Sequence, residues 1–130
     1  MSSRSLRSWL MLRAIPGVGD AILLRLVQTF GNPDAVFAAT QEALEEAGCR
    51  PPLVEAIRHG PDQAAVRQLD QELDQVQRRQ ITLLTYHDIE YPALLRTIPD
   101  PPPLLYLQGT LLETDRYAVA IVGTRKVSAI

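Results

Sequence analysis

Near the end of the chain, Gly123, Thr124, Arg125 and Lys126 follow the apolar run Val119-Ala120-Ile121-Val122, and here the residue types suit chemistry best. An apolar run that feeds a glycine reads as a buried strand ending in a turn. The amides at the start of a following helix then favour an anion. The Thr124 hydroxyl can donate, the Arg125 guanidinium can grip a phosphate with two donors, and Lys126 adds a point charge. One glycine is too few for the G-x-G-x-x-G of a dinucleotide site or the G-x-x-x-x-G-K-[ST] of a P-loop. The chemistry indicated is a contact to a phosphodiester, with an ordinary strand-to-helix connection bearing exposed cations as the alternative. No cofactor is implied.

A second candidate is Ile15-Pro16-Gly17-Val18-Gly19, which lies between two helical patterns. Pro16 presets one φ, while Gly17 and Gly19 permit positive φ, so a tight hairpin can aim the amides of Gly17, Val18 and Gly19 outward at a helix start. Such a hairpin resembles that of helix-hairpin-helix modules, which hold a DNA phosphate without reading base sequence. Asp20 argues the other way: its carboxylate would repel a phosphate and could itself cap the free amides. A plain helix-to-helix turn is the competing reading. Downstream, Gly48-Cys49-Arg50 reads as a degenerate second copy of the hairpin.

The remaining reactive side chains do not assemble into a constellation. His87 beside Asp88 lacks a nucleophile or metal-ligand spacing and reads as a loop histidine, and His59 before Gly60 reads as a helix C-terminal residue favourable to the dipole. The lone Cys49 has no partner for a disulfide or a metal and reads as a buried apolar residue. No metal site and no catalytic activity are expected.

The elements that must position these residues fall into two groups. Short helices are predicted over about 5–13, 20–30, 33–38, 41–47 and 51–59, with Asn32 and Thr40 as N-caps, Pro33, Pro51 and Pro52 in first turns, and Gly31, Gly48 and Gly60 as stops. Each is too short to stand alone in water, so their apolar stripes must pack together into a helical module over residues 1–60. A longer helix over 61–80 turns Ala65, Val66, Leu69, Leu73 and Val76 to one face and Gln68, Asp70, Gln71, Asp74, Gln75 and Arg78 to solvent. After Gln80 the pattern changes. Ile81-Thr-Leu-Leu-Thr-Tyr86 reads as a strand, Tyr91–Ile98 as one or two helical turns, the proline run Pro101-Pro102-Pro103 as an extended entry into a second strand, and Tyr117–Val122 as a third. The expected fold class is α plus α/β: a helical bundle, then the first strands of a parallel-type sheet in 81–130.

Composition places bounds on partners. With 46% apolar and 22% charged residues, the 130-residue chain can bury a true core. Residues 1–60 carry six basic and six acidic side chains against seven and nine in the remainder, so charge alone does not advertise nucleic acid. No stretch approaches the ~20 apolar residues of a membrane span. With no signal-peptide pattern and a single cysteine, a cytoplasmic setting is expected.

The ordered set Tyr91-Pro92-Ala93-Leu94-Leu95-Arg96, the proline run before Leu105-Tyr106, Gly109, and Val119 through Gly123-Thr124-Arg125, preceded by Ile15–Gly19 and Phe30-Gly31-Asn32-Pro33, resembles the N-terminal part of the DNA-processing protein DprA/Smf family. The resemblance implies a sterile-alpha-motif-like or helix-hairpin-helix domain followed by an extended Rossmann-like domain, often with a winged helix beyond. It implies single-stranded DNA and the RecA recombinase as partners in DNA uptake and natural transformation, a homodimer of the full-length protein, and no catalysis. Gly123, Thr124 and Arg125 become the family's phosphate-contacting turn, with Lys126 a neighbour added for its charge. The later glycine-rich segments of that domain are absent, so the expectation is a fragment impaired in DNA binding. A nucleotide-acting Rossmann-like enzyme and an N-terminal protein-interaction module are the alternatives.

Overall fold

In the computed structural model, which describes residues 3–109, six α-helices are followed by a short antiparallel strand pair. The helices are α1 (Ser3–Arg13), α2 (Asp20–Phe30), α3 (Pro33–Ala38), α4 (Gln41–Glu46), α5 (Pro51–His59) and α6 (Gln63–Arg78). The strands are β1 (Thr82–Thr85) and β2 (Leu104–Leu107), with a 3-10 turn at Leu95–Thr97 between them. The third strand expected over Tyr117–Val122 lies outside the described residues.

Local chemistry sets the helix boundaries. Asn32, Thr40 and Asp62 each accept the amide three residues on, from Ala35 at 2.8 Å, Ala43 at 3.1 Å and Ala65 at 2.8 Å, which satisfies donors that would otherwise be orphaned. Helix α4 closes in a Schellman arrangement: Cys49 N–H donates to the Leu44 carbonyl and Gly48 N–H to that of Glu45, with Gly48 at φ +95°. Helix α6 ends in the same pair of bonds, Ile81 to Val76 and Gln80 to Gln77. There Gln80, at φ +55°, occupies the place a glycine usually takes.

Helix α2 is the hub of the core, with Leu23, Leu26 and Val27 at 0% exposure. Trp9, Leu10 and Leu12 of α1, Val36 of α3, Leu44 of α4, and Val54 and Ile57 of α5 close around it. The same core continues through Leu69 of α6 into Leu83 of β1 and Leu104 of β2, so the strand pair is seated on α1 and α6. The α6 face predicted to meet solvent, Gln68, Asp70, Gln71, Asp74, Gln75 and Arg78, is exposed as expected. In the sheet, Thr82 pairs with Leu107, Leu83 with Tyr106, Leu84 with Leu105 and Thr85 with Leu104. Tyr106 therefore shares the face of Leu83 that looks onto the helices.

Candidate functional site

The first hairpin is built by the end of α1. Ile15 N–H donates to the Leu12 carbonyl at 3.3 Å and Val18 N–H to that of Ile15 at 3.0 Å, and both side chains are buried. These two anchors force the turn between them outward, where Pro16, Gly17 and Gly19 are exposed. Gly17 sits at φ +93°, a conformation that strains any side chain, whereas the space beside it, facing Leu53 of α5, would admit a Cβ. Gly19 is the N-cap of α2 and offers no side chain to its amides. Asp20 makes no hydrogen bond or ion pair among the described residues, so its carboxylate stands exposed in the first turn of α2. The second turn follows the same order: a positive-φ glycine (Gly48), a buried residue (Cys49), then an N-cap without a side-chain bond (Arg50) ahead of α5. The two turns pack reciprocally, Gly17 against Leu53 of α5 and Gly48 against Arg25 of α2.

Between β1 and β2 the chain makes an excursion over residues 86–103, which is held together by Arg96. Its Nη2 donates to the Tyr86 carbonyl at 2.8 Å and the Asp88 carbonyl at 2.5 Å, and its Nε to Tyr86 at 3.1 Å. The guanidinium lies 5.4 Å from the Tyr86 ring centroid and 5.1 Å from that of Tyr91. Tyr91, only 2% exposed, donates its hydroxyl to the Pro102 carbonyl at 2.7 Å, which ties the Tyr91-Pro92 corner to the proline run. Burial pushes the Tyr91 phenol above its usual range; nearby Tyr86 adds to the shift and Arg96 opposes it. Asp88 completes the knot by accepting the Thr85 amide at 2.8 Å while its own amide donates to the Thr85 carbonyl. The Arg96 guanidinium, the Tyr91 hydroxyl and the Asp88 carboxylate are thus each engaged within the cluster, which positions the backbone of the excursion.

A third cluster joins the sheet to the helices. Arg13 Nη2 reaches the Tyr106 hydroxyl at 2.8 Å and Glu72 Oε2 at 3.2 Å, and the Tyr106 hydroxyl donates to Glu72 Oε1 at 2.8 Å. Burial raises the Tyr106 pKa, and its bonds to Arg13 and Glu72 pull in opposite directions. The arrangement is a latch among α1, α6 and β2, and Arg13 and Glu72 also border a cavity of about 580 Å³ between α1 and α6.

Of the residues singled out in the sequence, Gly17, Val18 and Gly19 stand together at the first hairpin. Gly123, Thr124, Arg125 and Lys126 lie outside the described residues. His59 ends α5 and is exposed. Cys49 is buried, which raises its thiol pKa. His87 is an exposed loop residue, yet its ring meets the edge of Trp9 at 5.5 Å, a contact to α1 that sequence spacing did not announce. Arg96 was missed as a centre because nothing local distinguishes an arginine that folds back on two carbonyls from a solvated one. Among the described residues no three of His, Cys, Asp or Glu gather as metal ligands, and no helix is long and apolar enough to cross a membrane.

Residues 82–130, from the first residue of β1 onward, match the family model described as DNA recombination-mediator protein A. Over 126 residues the chain is 34% identical to Protein Smf of Synechocystis sp., an alignment that covers 90% of this chain and 30% of the relative. The chain thus spans about 30% of the length of the curated relative it matches. The matched family is, by that description, one of recombination mediators. On both the family match over residues 82–130 and the identity across 90% of its length, the chain is similar to the DprA/Smf family of DNA recombination mediators.

Proposed function

We propose that this chain serves recombination by contributing to a single-stranded-DNA-binding surface whose phosphate contacts are Gly123, Thr124, Arg125 and Lys126. In this reading residues 1–60 form a helix-hairpin-helix or sterile-alpha-motif-like module, 61–80 a connecting helix and 81–130 the start of an extended Rossmann-like domain. The full-length protein acts in the cytoplasm as a homodimer that loads RecA onto the strand during DNA uptake, without catalysis of its own. The observation that supports it most is the family match over residues 82–130, a range that includes all four phosphate-contact residues. Anisotropy of a labelled oligothymidine titrated with the full-length protein at several salt concentrations tests it. Arg125→Ala should weaken binding and flatten the slope of log affinity against log salt by about one unit. An unchanged affinity and slope would remove Arg125 from the site.

A second reading concerns the helical module, which we take to bind protein and not DNA. Exposed, unpaired Asp20 at the head of α2 favours it, because a carboxylate among the hairpin amides repels the phosphate such a hairpin would hold.

A further inference from the structure

A cleft of about 260 Å³ separates the outer face of α2 from the proline-rich segment that leads into β2. Its walls are about half apolar: Ala21 and Leu24 on the helix side, Pro101 and Pro102 on the other, with Leu24 and Pro101 themselves buried. Two carboxylates, Asp20 and Asp100, stand at it from opposite walls, and neither has an ion pair or hydrogen bond among the described residues. Arg25 also borders the cleft but does not neutralise them. It makes no ion pair with either of them, and its Nη2 lies 3.5 Å from where a Cβ on Gly48 would stand, toward the α4–α5 turn. The fourth polar lining group, Gln28, is uncharged and can offer a carbonyl oxygen.

A narrow space with aliphatic walls and two unpaired anions fits one kind of side chain, a long methylene stem that ends in a cation. It does not fit a nucleic-acid backbone, since two carboxylates would repel each approaching phosphate. We propose that this cleft is a docking site for a basic side chain, an arginine or lysine presented by a partner protein. The stem lies between Leu24 and the Pro101-Pro102 wall, and Asp20 and Asp100 receive the charged head. Arginine is the better fit, because its planar fork can satisfy carboxylates on two walls at once. The inference rests on the reading of the helical module as a protein-binding element and is independent of the phosphate turn at Gly123–Lys126.

The test is a titration of the isotope-labelled 1–130 chain with the capped peptide acetyl-Gly-Ser-Gly-Arg-Gly-Ser-Gly-amide, followed through backbone amide shifts. A matched peptide carries citrulline, the neutral isostere, in place of arginine. The arginine peptide should shift the amides of Asp20, Ala21, Leu24 and Asp100 along one saturable curve. Binding should weaken about tenfold or more with citrulline, and likewise in the Asp20→Asn/Asp100→Asn double variant, since each change removes a charge-assisted bond. Equal shifts from both peptides, shifts that survive the double variant, or shifts spread evenly over Glu45, Glu46 and Glu90 would overturn the proposal. The citrulline arm uses the unaltered protein, so its outcome does not depend on how the variant folds. A parallel titration with oligothymidine separates the two readings: shifts at Gly17–Ala21 would sink the protein-binding view of the module, whatever the peptide does.

Discussion

Residues 3–59 and residues 82–107 reach order by different means. The helical region buries aliphatic side chains on repeating stripes, closes its helix ends with Asn32, Thr40 and Gly48, and joins α1 to α3 through the Ser8 hydroxyl, which donates to Asp34 at 2.8 Å. The strand pair has four residues to a strand and could not persist alone. It is stabilised from one side by the shared core through Leu83 and Leu104, and from its far end by the knot of Arg96, Tyr86, Tyr91, Asp88 and the Pro102 carbonyl. The first region is a matter of volume, which many sequences can fill. The second depends on particular donors meeting particular carbonyls.

If that distinction holds, truncation in the helical hub has the largest and most global effect. Leu26 is 0% exposed at the centre of α2, and Leu26→Ala should cost about 3 kcal/mol. Because Trp9, Leu69, Leu83 and Leu104 belong to the same core, the loss should reach β1 as well as the helices. Urea unfolding followed by the fluorescence of Trp9, the single tryptophan, and by amide exchange at Leu83 and Leu84 checks it. Separate transitions for the two probes would show that the regions fold independently and would break the comparison at its root.

Arg96→Met should have a smaller and more local effect. It leaves the Tyr86 carbonyl without the Arg96 bonds, while the Asp88 carbonyl still accepts the Tyr91 amide, so about 2 kcal/mol is expected. Exchange should speed at Thr85, Asp88 and Tyr91, and the Trp9 signal should change as the His87 ring leaves its edge. Amides in the middle of α2 should hold their protection. Equal loss there would mean that the excursion is part of the hub, and the two regions would no longer differ in kind.

The same difference decides what the sequence discloses. The helices could be read from periodicity and caps because those signals lie within four or five residues of each other, and α2 falls on Asp20–Phe30 as predicted. The strand at Thr82–Thr85, the proline-led entry to β2 and the exposed face of α6 were legible for the same reason. The role of Arg96 was not, since its partners are backbone carbonyls, identical in every residue, brought near by a turn that exists only once the knot is tied. The Arg13–Glu72–Tyr106 latch, with partners up to 93 residues apart, carries no local mark either. Of the candidate sites, the hairpin at Gly17–Gly19 was visible as a turn, because two glycines and a proline restrict φ in a way that can be read directly. Whether it favours phosphate turned on Asp20, and the cleft that gives Asp20 a role needs Asp100, eighty residues on, which no spacing rule connects to it.

The finest test of the contrast is a single oxygen. Tyr91→Phe keeps the ring, its packing and its place beside Arg96, and removes only the hydroxyl bonded to the Pro102 carbonyl at 2.7 Å, so at neutral pH it should cost about 1 kcal/mol. Its pH dependence carries the sharper information. Burial, with Tyr86 adding to it, holds the folded-state phenol above its unfolded value, so the folded protein keeps this proton when the unfolded chain has released it. That contribution is present in full below the unfolded pKa of about 10 and is lost as pH rises from there toward the folded value. Phenylalanine cannot ionise, so the stability gap between the two proteins should narrow above pH of about 10. Urea unfolding monitored by Trp9 on both sides of that pH measures the gap. A gap that stays constant would show that the Tyr91 hydroxyl is not held in the buried bond on which the second region's order rests, and the excursion would then have to be explained by packing alone, as the helices are.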